Sequence, residues 1–259
     1  MKIPQGLTVP ESNLVCKLQK SLYGLKQTSR QWNVKLTSML LDLVYTQSRH
    51  RYPLFTKLED GHLTTISVFV DDLILAGSNL AEINFLNQKL YEAFKTKDIG
   101  VLKYFLSLEI ARGSKGITMN QRKHVINLLE EFGMIDCKLT STPMDYSAKL
   151  AKDGAPTYSD VPHYKRLLGR LVYLTTTRPD ITFAIEKLRH CLDCPTQAHY
   201  TTNLCVLKYL KQSPATGLFF ATSSNLSSIG FSDAGWAACH DIRQSLTGYC
   251  FYLGNSLIS

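Results

Sequence analysis

No stretch of the 259 residues approaches the roughly 18 consecutive apolar residues that a membrane-crossing helix needs. The longest apolar patches are short and strand-like, as in Ile66-Ser67-Val68-Phe69-Val70, so a membrane-spanning class is excluded. Met1-Lys2-Ile3-Pro4-Gln5-Gly6 is followed by no apolar leader, and secretion is not expected. Cysteine is sparse and scattered. Cys16, Cys137, Cys191, Cys194, Cys205, Cys239 and Cys250 make an odd seven, which reads as reduced intracellular thiols rather than a disulfide framework. There is no internal repeat or low-complexity tract. Acid is missing locally as well: residues 13–41 carry Lys17, Lys20, Lys26, Arg30 and Lys35 and not one Asp or Glu.

What is present is a basic, core-forming chain. Hydrophobic residues make up 44% and charged residues 19%, the balance of a folded globular protein. Twenty-nine Lys and Arg against 21 Asp and Glu leave a net charge of +8, which favours an anionic partner, nucleic acid or a membrane surface. Tyr23 and Trp32 interleave with the acid-free lysines. That pattern suits phosphate contact with some stacking; the plain alternative is a solvated basic face.

Apolar spacing predicts the elements. Trp32, Leu36, Met39, Leu40 and Leu43 mark a helix over residues 30–44. Thr64–Val70 and Leu73–Ala76 read as a strand pair with only Asp71-Asp72 between them, a two-residue hairpin. Ser78 is placed to cap a helix whose apolar face is Ile83, Leu86, Leu90 and Phe94. Tyr104–Ile110 and Ile117–Met119 form a second strand pair across a turn at 112–116, followed by a helix with Val125, Leu128, Leu129 and Phe132. Residues 136–162 are loop-like. Three helices then carry Leu167, Leu168, Leu171 and Leu174; Ile181, Ile185, Leu188 and Leu192; and Leu204, Leu207 and Leu210. Leu218–Ala221, Ser228–Ser232 and Thr247–Leu253 read as strands. The class is α+β, with antiparallel sheets and flanking helices.

Asp71-Asp72 carries the most chemistry. Two adjacent carboxylates sit between apolar arms, Val68-Phe69-Val70 and Leu73-Ile74-Leu75. Like charges this close repel unless a cation lies on them. A hard divalent ion with oxygen ligands, Mg²⁺ or Mn²⁺, answers that need. The alternative is a plain acidic turn.

The wider set of motifs favours the first reading. Phe69-Val70-Asp71-Asp72 resembles the aromatic-x-Asp-Asp box of reverse transcriptases. Ser21-Leu22-Tyr23-Gly24-Leu25-Lys26-Gln27, with Arg30-Gln31-Trp32, resembles the preceding polymerase motif in its Ty1/copia-type form. Lys97-Asp98-Ile99-Gly100 with Tyr104-Phe105-Leu106, then Ser141-Thr142-Pro143-Met144, Leu168-Gly169-Arg170-Leu171 and Thr177-Arg178-Pro179-Asp180-Ile181 follow in the family's order. Gly230-Phe231-Ser232-Asp233-Ala234 and Ser245-Leu246-Thr247-Gly248-Tyr249 resemble the opening of the family's ribonuclease H domain. The chain is thus identified as similar, over essentially its whole length, to a piece of a copia-type retrotransposon polyprotein.

The resemblance implies an RNA-directed DNA polymerase, a nucleotidyltransferase using two Mg²⁺ ions, an RNA template, a DNA primer and deoxynucleotides. It implies a palm and fingers over residues 1–135, a linker at 136–162, thumb or connection helices at 163–215, and the start of a ribonuclease H-like sheet at 216–259. Asp71 matches the carboxylate that bridges both ions and Asp72 its weaker neighbour. Tyr23, Gly24, Lys26 and Gln27 match the nucleotide and template pocket. Asp233 matches the first carboxylate of the ribonuclease H site. The implied setting is intracellular, in the cytoplasm within a virus-like particle or in the nucleus.

Departures accompany these matches. The family needs a further aspartate on a strand before Ser21, where this sequence has only Glu11, and further ribonuclease H carboxylates beyond Ser259. The 259 residues alone are therefore expected to be inactive, a basic nucleic-acid-binding remnant being the alternative. The incomplete C-terminal sheet is expected to promote self-association. Phe69 stands where the family usually has Tyr, Ser29 for Pro, Ser107 for Gly and Gly235 for Asp. Cys191, Cys194, His199 and Cys205 depart by one residue from zinc-knuckle spacing, with five residues between His199 and Cys205 instead of four and no glycine to wrap the ion, and no zinc is expected. Lys165, Arg166 and Arg170 share a helix region that either tracks a primer backbone or merely keeps the helix soluble. Asp180 is expected to be an early-turn acid favoured by the helix dipole. His163, His190 and His240 read as structural.

Overall fold

The computed structural model describes residues 24, 25, 27–145, 150, 156–223, 225, 227–236 and 245–258. Tyr23, Lys26, Lys17, Lys20 and His240 lie outside them. The chain divides into two compact units, Met1–Gly100 and Val101–Ser259. Both combine helices with antiparallel sheet, the α+β class read from the sequence. The expected segment 1–135 straddles this division.

In the first unit the order is α1 (Thr28–Asp42), β1 (Thr46–Gln47), β2 (Leu54–Glu59), β3 (His62–Phe69), β4 (Asp72–Gly77) and α2 (Leu80–Phe94). The four strands pair in sequence order, every pair antiparallel. Leu36 and Leu40 of α1 and Leu86 and Leu90 of α2 share one core with Phe55, Ile66 and Val68 of the sheet. The alternation along β3 explains this: Thr64, Ile66 and Val68 are buried while Leu63 and Phe69 on the other face are exposed. The Tyr45 hydroxyl donates to Glu82 Oε1 at 2.9 Å, and Lys57 bonds the same oxygen at 3.1 Å, tying α2 to the sheet. Burial and this glutamate push the Tyr45 hydroxyl well above its ordinary range.

Two boundaries differ from the sequence reading. The cap of α2 is Asn79, whose Oδ1 accepts from the amides of Ala81 and Glu82 at 3.0 and 3.3 Å, while Ser78 faces His62 instead. The amide oxygen of Asn79 reaches the orphan N–H groups from the position immediately before the helix, which Ser78 cannot do. The hairpin turn lies at Val70-Asp71, because Phe69 pairs with Asp72 and draws that aspartate into β4.

The second unit runs β5 (Tyr104–Phe105), β6 (Leu108–Gly113), β7 (Gly116–Asn120), α3 (Arg122–Glu131), α4 (Val161–Leu174), a 3₁₀ turn at Pro179–Ile181, α5 (Thr182–Arg189), α6 (Gln197–Gln212), β8 (Gly217–Ala221), β9 (Ser228–Gly235), β10 (Leu246–Leu253) and β11 (Ser256–Leu257). The leucines predicted for α4, Leu167, Leu168, Leu171 and Leu174, are buried in one core with Leu128 of α3, Leu188 of α5 and Leu207 of α6.

Here too the structure corrects the reading. The expected strand over 104–110 is broken at Leu106-Ser107, both left-handed with φ of +47° and +62°, and folds back as a hairpin with Phe105 opposite Leu108. That φ pattern suits Asn-Gly, and nothing in Leu-Ser announces it. The strand at 217–221, grouped from the sequence with the C-terminal strands, pairs instead with β7 to close a β5-β6-β7-β8 sheet. Gly217 permits the approach, since a Cβ there would lie 2.1 Å from the Met119 carbonyl oxygen. The β9-β10-β11 sheet stands as a separate three-stranded set with β9 at its edge. Among the described residues no helix is long and apolar enough to cross a membrane.

Candidate active site at the Asp71-Asp72 hairpin

The site is built by β3 and β4 and the two residues that join them. Strand pairing from Thr64 opposite Gly77 to Phe69 opposite Asp72 leaves Val70-Asp71 as the whole turn. Val70 has φ of +51°. A β-branched residue is a genuine outlier there, and such strain, of order 1–3 kcal/mol, gathers where function over-determines the backbone. The β2–β3 turn next to it is Asp60-Gly61, the composition such hairpins favour. The unfavourable residue thus stands at the aspartates and the favourable pair at the other end of β3.

Asp71 and Asp72 are both exposed, and neither side chain has a hydrogen bond or ion pair with another described residue. By the register, Asp72 lies on the sheet face turned away from α1 and α2, in company with Thr56, Thr65, Ser67 and Ile74. Thr65 uses its hydroxyl locally, donating to the Ala76 carbonyl at 3.2 Å. The carboxylates are hard oxygen donors with no counter-charge among the described residues, which is the donor chemistry Mg²⁺ or Mn²⁺ takes. They are two, not three: among the described residues no group of three or more His, Cys, Asp or Glu is placed to hold an ion. The residues present therefore fit part of a divalent-cation site.

The remaining expected site residues are dispersed. Gly24 has φ of +85°, a conformation that glycine takes without strain, and Gln27 precedes α1 with no side-chain cap bond. No hydrogen bond or ion pair joins either to Asp71 or Asp72. Asp233 is exposed on β9 opposite Gly248, its Oδ1 accepting from the Ala234 amide at 2.9 Å. In the cysteine-rich stretch, His199 Nδ1 is taken by the amide and hydroxyl of Thr196, at 2.9 and 2.6 Å, as part of the N-terminal cap of α6.

One polar constellation was missed. Asp180, expected to serve a helix dipole, accepts two bonds from Arg178, Nε to Oδ1 at 3.0 Å and Nη2 to Oδ2 at 2.8 Å, and one from the Tyr209 hydroxyl at 2.7 Å. Arg178 is 1% exposed and also donates to the Ser213 carbonyl at 2.9 Å. Burial alone would raise the Asp180 carboxyl, but the bonds from Arg178 and Tyr209 outweigh it and hold the group below its ordinary value. The Arg-Pro-Asp spacing hinted at a local pair; nothing in sequence pointed to Tyr209. Of the α4 cations, Arg166 and Arg170 both reach Glu131 of α3, at 3.6 and 2.6 Å, while Lys165 is exposed.

Residues 1–146 match the family described as reverse transcriptase (RNA-dependent DNA polymerase). The chain is 36% identical over 247 residues, 95% of its length, to the retrovirus-related Pol polyprotein from transposon RE1 of Arabidopsis thaliana. It is 32% identical over 272 residues, all of its length, to the Pol polyprotein from transposon TNT 1-94 of Nicotiana tabacum. It spans only 17% and 20% of those two polyproteins. It is also 35% identical over 192 residues, 74% of its length, to an uncharacterized mitochondrial protein of Arabidopsis thaliana, AtMg00810, of which it covers 80%. No solved structure matches it significantly. With more than half of the chain matching that family and nearly all of it similar to Pol polyproteins of copia-type transposons, the chain belongs to the reverse transcriptase family.

Proposed function

We propose that this chain supplies part of an RNA-directed DNA polymerase of a copia-type retrotransposon, with the Asp71-Asp72 hairpin as the part of its catalytic centre that lies within these residues. The single observation that carries the reading is an exposed carboxylate pair, uncommitted among the described residues, at a strained hairpin turn in a chain of this family. Asp71 is the principal metal-bearing carboxylate and Asp72 its neighbour. When bound there, a divalent cation supplies the charge that activates a primer 3′-hydroxyl and steadies the leaving pyrophosphate. The rigid register of β3 and β4 fixes where the carboxylates stand, and the face holding Thr56, Thr65 and Ser67 offers a floor beside them. Tyr23, Gly24, Lys26 and Gln27 line the nucleotide and template pocket. Residues 1–135 act as palm and fingers, 163–215 as thumb or connection helices, and Asp233 belongs to a ribonuclease H-like part. An intracellular setting follows from this role.

Two adjacent carboxylates do not make a complete two-ion site, so these 259 residues by themselves are expected not to extend a primer. The edge of β9, exposed along all eight residues and unpaired among the described strands, favours self-association of the isolated chain. That only two carboxylates come together among the described residues also favours a second reading, a non-enzymatic basic nucleic-acid-binding protein. Primer extension on an RNA template with Mg²⁺ separates them. The chain preceded by the corresponding upstream segment of a relative should extend the primer, and Asp71→Asn should lower the rate about 10³-fold or more, a loss of roughly 4 kcal/mol of transition-state stabilisation. Extension that survives Asp71→Asn would refute the assignment, and no extension by the lengthened chain would favour the binding protein.

A further inference from the structure

Cys191 and Cys194 stand three positions apart in the turn that joins α5 to α6, in opposite surroundings. Cys191 is buried, while Cys194 is the one exposed cysteine among the described residues. Both are thiols in this structure. The Cys191 sulfur lies beside the Tyr164 hydroxyl, which donates to the Leu188 carbonyl at 2.9 Å; burial, and next this sulfur, push that hydroxyl above its ordinary range. The two ends of the turn are pinned. The Cys191 amide donates to the Leu188 carbonyl at 3.1 Å, and the Pro195 carbonyl accepts from the Tyr158 amide at 2.8 Å, next to the Thr157–Thr196 bridge. Between these anchors the chain bends through Leu192, Asp193 and Cys194. Among the described residues the amides of Asp193 and Cys194 make no hydrogen bond, so little backbone order resists a closer approach. An extended span of three residues measures about 10 Å. A bend shortens it toward the roughly 4.4–6.8 Å between Cα atoms that a disulfide bridges. A metal is a poorer occupant: His199 Nδ1 is taken by Thr196, and among the described residues no group of three or more His, Cys, Asp or Glu is placed to hold an ion.

We propose that Cys194 and Cys191 form a reversible thiol–disulfide pair whose reactant is a low-molecular-weight disulfide of the glutathione class. Cys194 is the attacking sulfur, because the reagent reaches it. Cys191 is closed to outside reagents by burial and open only to its neighbour in the turn. Cys194, having given its proton to water, attacks one sulfur of the small disulfide. The S–S bond of the reagent breaks, one small thiolate leaves and takes up a proton, and Cys194 carries a mixed disulfide. Cys191 then loses its proton to solvent, and its sulfur attacks Cys194 Sγ and expels the second small thiol. Two protein thiols are oxidised to one disulfide, and one small disulfide is reduced to two thiols. With only Leu192 and Asp193 between the two sulfurs, the second step is intramolecular and outruns a second encounter with the reagent. These residues take no part in the aspartate site, so the inference holds or fails independently of the polymerase reading.

The test is incubation of the folded 259-residue chain with excess oxidised glutathione, followed by trapping of remaining thiols with N-ethylmaleimide and digestion with trypsin. Tandem mass spectrometry of the peptide His190–Lys208, which also holds Cys205, then maps the bond. Thermal melting checks that each variant folds. The bond found should join Cys191 to Cys194, with less than about a tenth of Cys194 left as a glutathione adduct, and excess reduced glutathione should reverse it. Cys191→Ala removes the resolving sulfur, so the adduct on Cys194 should rise about 10-fold. Cys194→Ser, at an exposed position, should leave Cys191 a thiol. Cys205→Ser should leave the Cys191–Cys194 bond as abundant as before. An adduct on Cys194 as abundant in the unaltered chain as in Cys191→Ala would overturn the proposal. So would a bond from Cys194 to Cys205, or a Cys191–Cys194 bond that forms only once urea has unfolded the chain. Should Cys191→Ala fail to fold, the position of the bond in the unaltered chain and the fate of Cys191 in Cys194→Ser decide the matter.

Discussion

Asp71-Asp72 and Asp180 occupy opposite conditions. The hairpin pair is exposed, adjacent, mutually repelling and, among the described residues, without an internal partner. Asp180 is gripped by two guanidinium bonds and a tyrosine hydroxyl, on an arginine that is 1% exposed. A carboxylate with its hydrogen-bonding capacity filled from inside the chain is a structural element; one left bare at a strained turn is available to something outside. The same contrast holds for backbone. Asp60-Gly61 closes its hairpin with residues suited to the turn, while Val70-Asp71 closes the next one with a residue that resists it.

The largest consequence concerns stability. Arg178→Met should cost the second unit about 3 kcal/mol in chemical denaturation, because it takes from Asp180 two of its three bonds and from the Ser213 carbonyl its guanidinium donor. Asp71→Asn and Asp72→Asn should change stability by no more than about 0.5 kcal/mol. A destabilisation of Asp71→Asn comparable with that of Arg178→Met would erase the distinction between the two kinds of carboxylate.

The pH dependence sharpens it. Asp180 has a folded-state carboxyl below its unfolded value. Its contribution is therefore fully present above the unfolded value, near about pH 4, and is lost as the pH falls through the lower folded one. Asp180→Asn should flatten that acid limb of the unfolding curve, and Asp71→Asn should leave its slope alone. His124 adds a second window with the same sign. Burial lowers its folded-state pKa, so the unfolded chain takes up the proton first and stability declines as the pH drops below about 6.5. His124→Gln should remove that decline.

The smallest effect is at the strained turn. Val70→Gly should stabilise the first unit by somewhat under about 1 kcal/mol, relief of the left-handed valine being partly offset by the greater freedom of unfolded glycine. Primer extension by the lengthened chain should nonetheless fall, because the carboxylates then stand on a looser turn. A gain of stability together with undiminished extension would mean that the strain has no functional part.

Much of this was legible from sequence. The spacing of Leu36 with Leu40 and of Leu167, Leu168, Leu171 and Leu174 named the buried faces of α1 and α4 correctly. The two-strand arrangement around the aspartates was readable from alternation, but its turn was placed one residue late, since nothing in Val70 signals a left-handed conformation. Leu106-Ser107 escaped for the same reason, an apolar-looking run that doubles back without Gly, Asn or Pro. The partner of β8 lies about a hundred residues upstream, a distance over which local pattern carries no information. The tie between Asp180 and Tyr209 spans 29 residues across two helical segments and is equally silent in sequence.

The bare carboxylates at 71 and 72 are expected to hold a divalent cation, and the gripped Asp180 is not. The direct measurement is Mn²⁺ titration of the isotope-labelled 259-residue chain by nuclear magnetic resonance, following paramagnetic broadening of backbone amides, in the unaltered chain, Asp71→Asn and Asp180→Asn. Broadening centred on residues 69–73, abolished by Asp71→Asn and kept in Asp180→Asn, is the expected result. Broadening at 69–73 that persists undiminished in Asp71→Asn, or that centres on Asp180, would contradict the account.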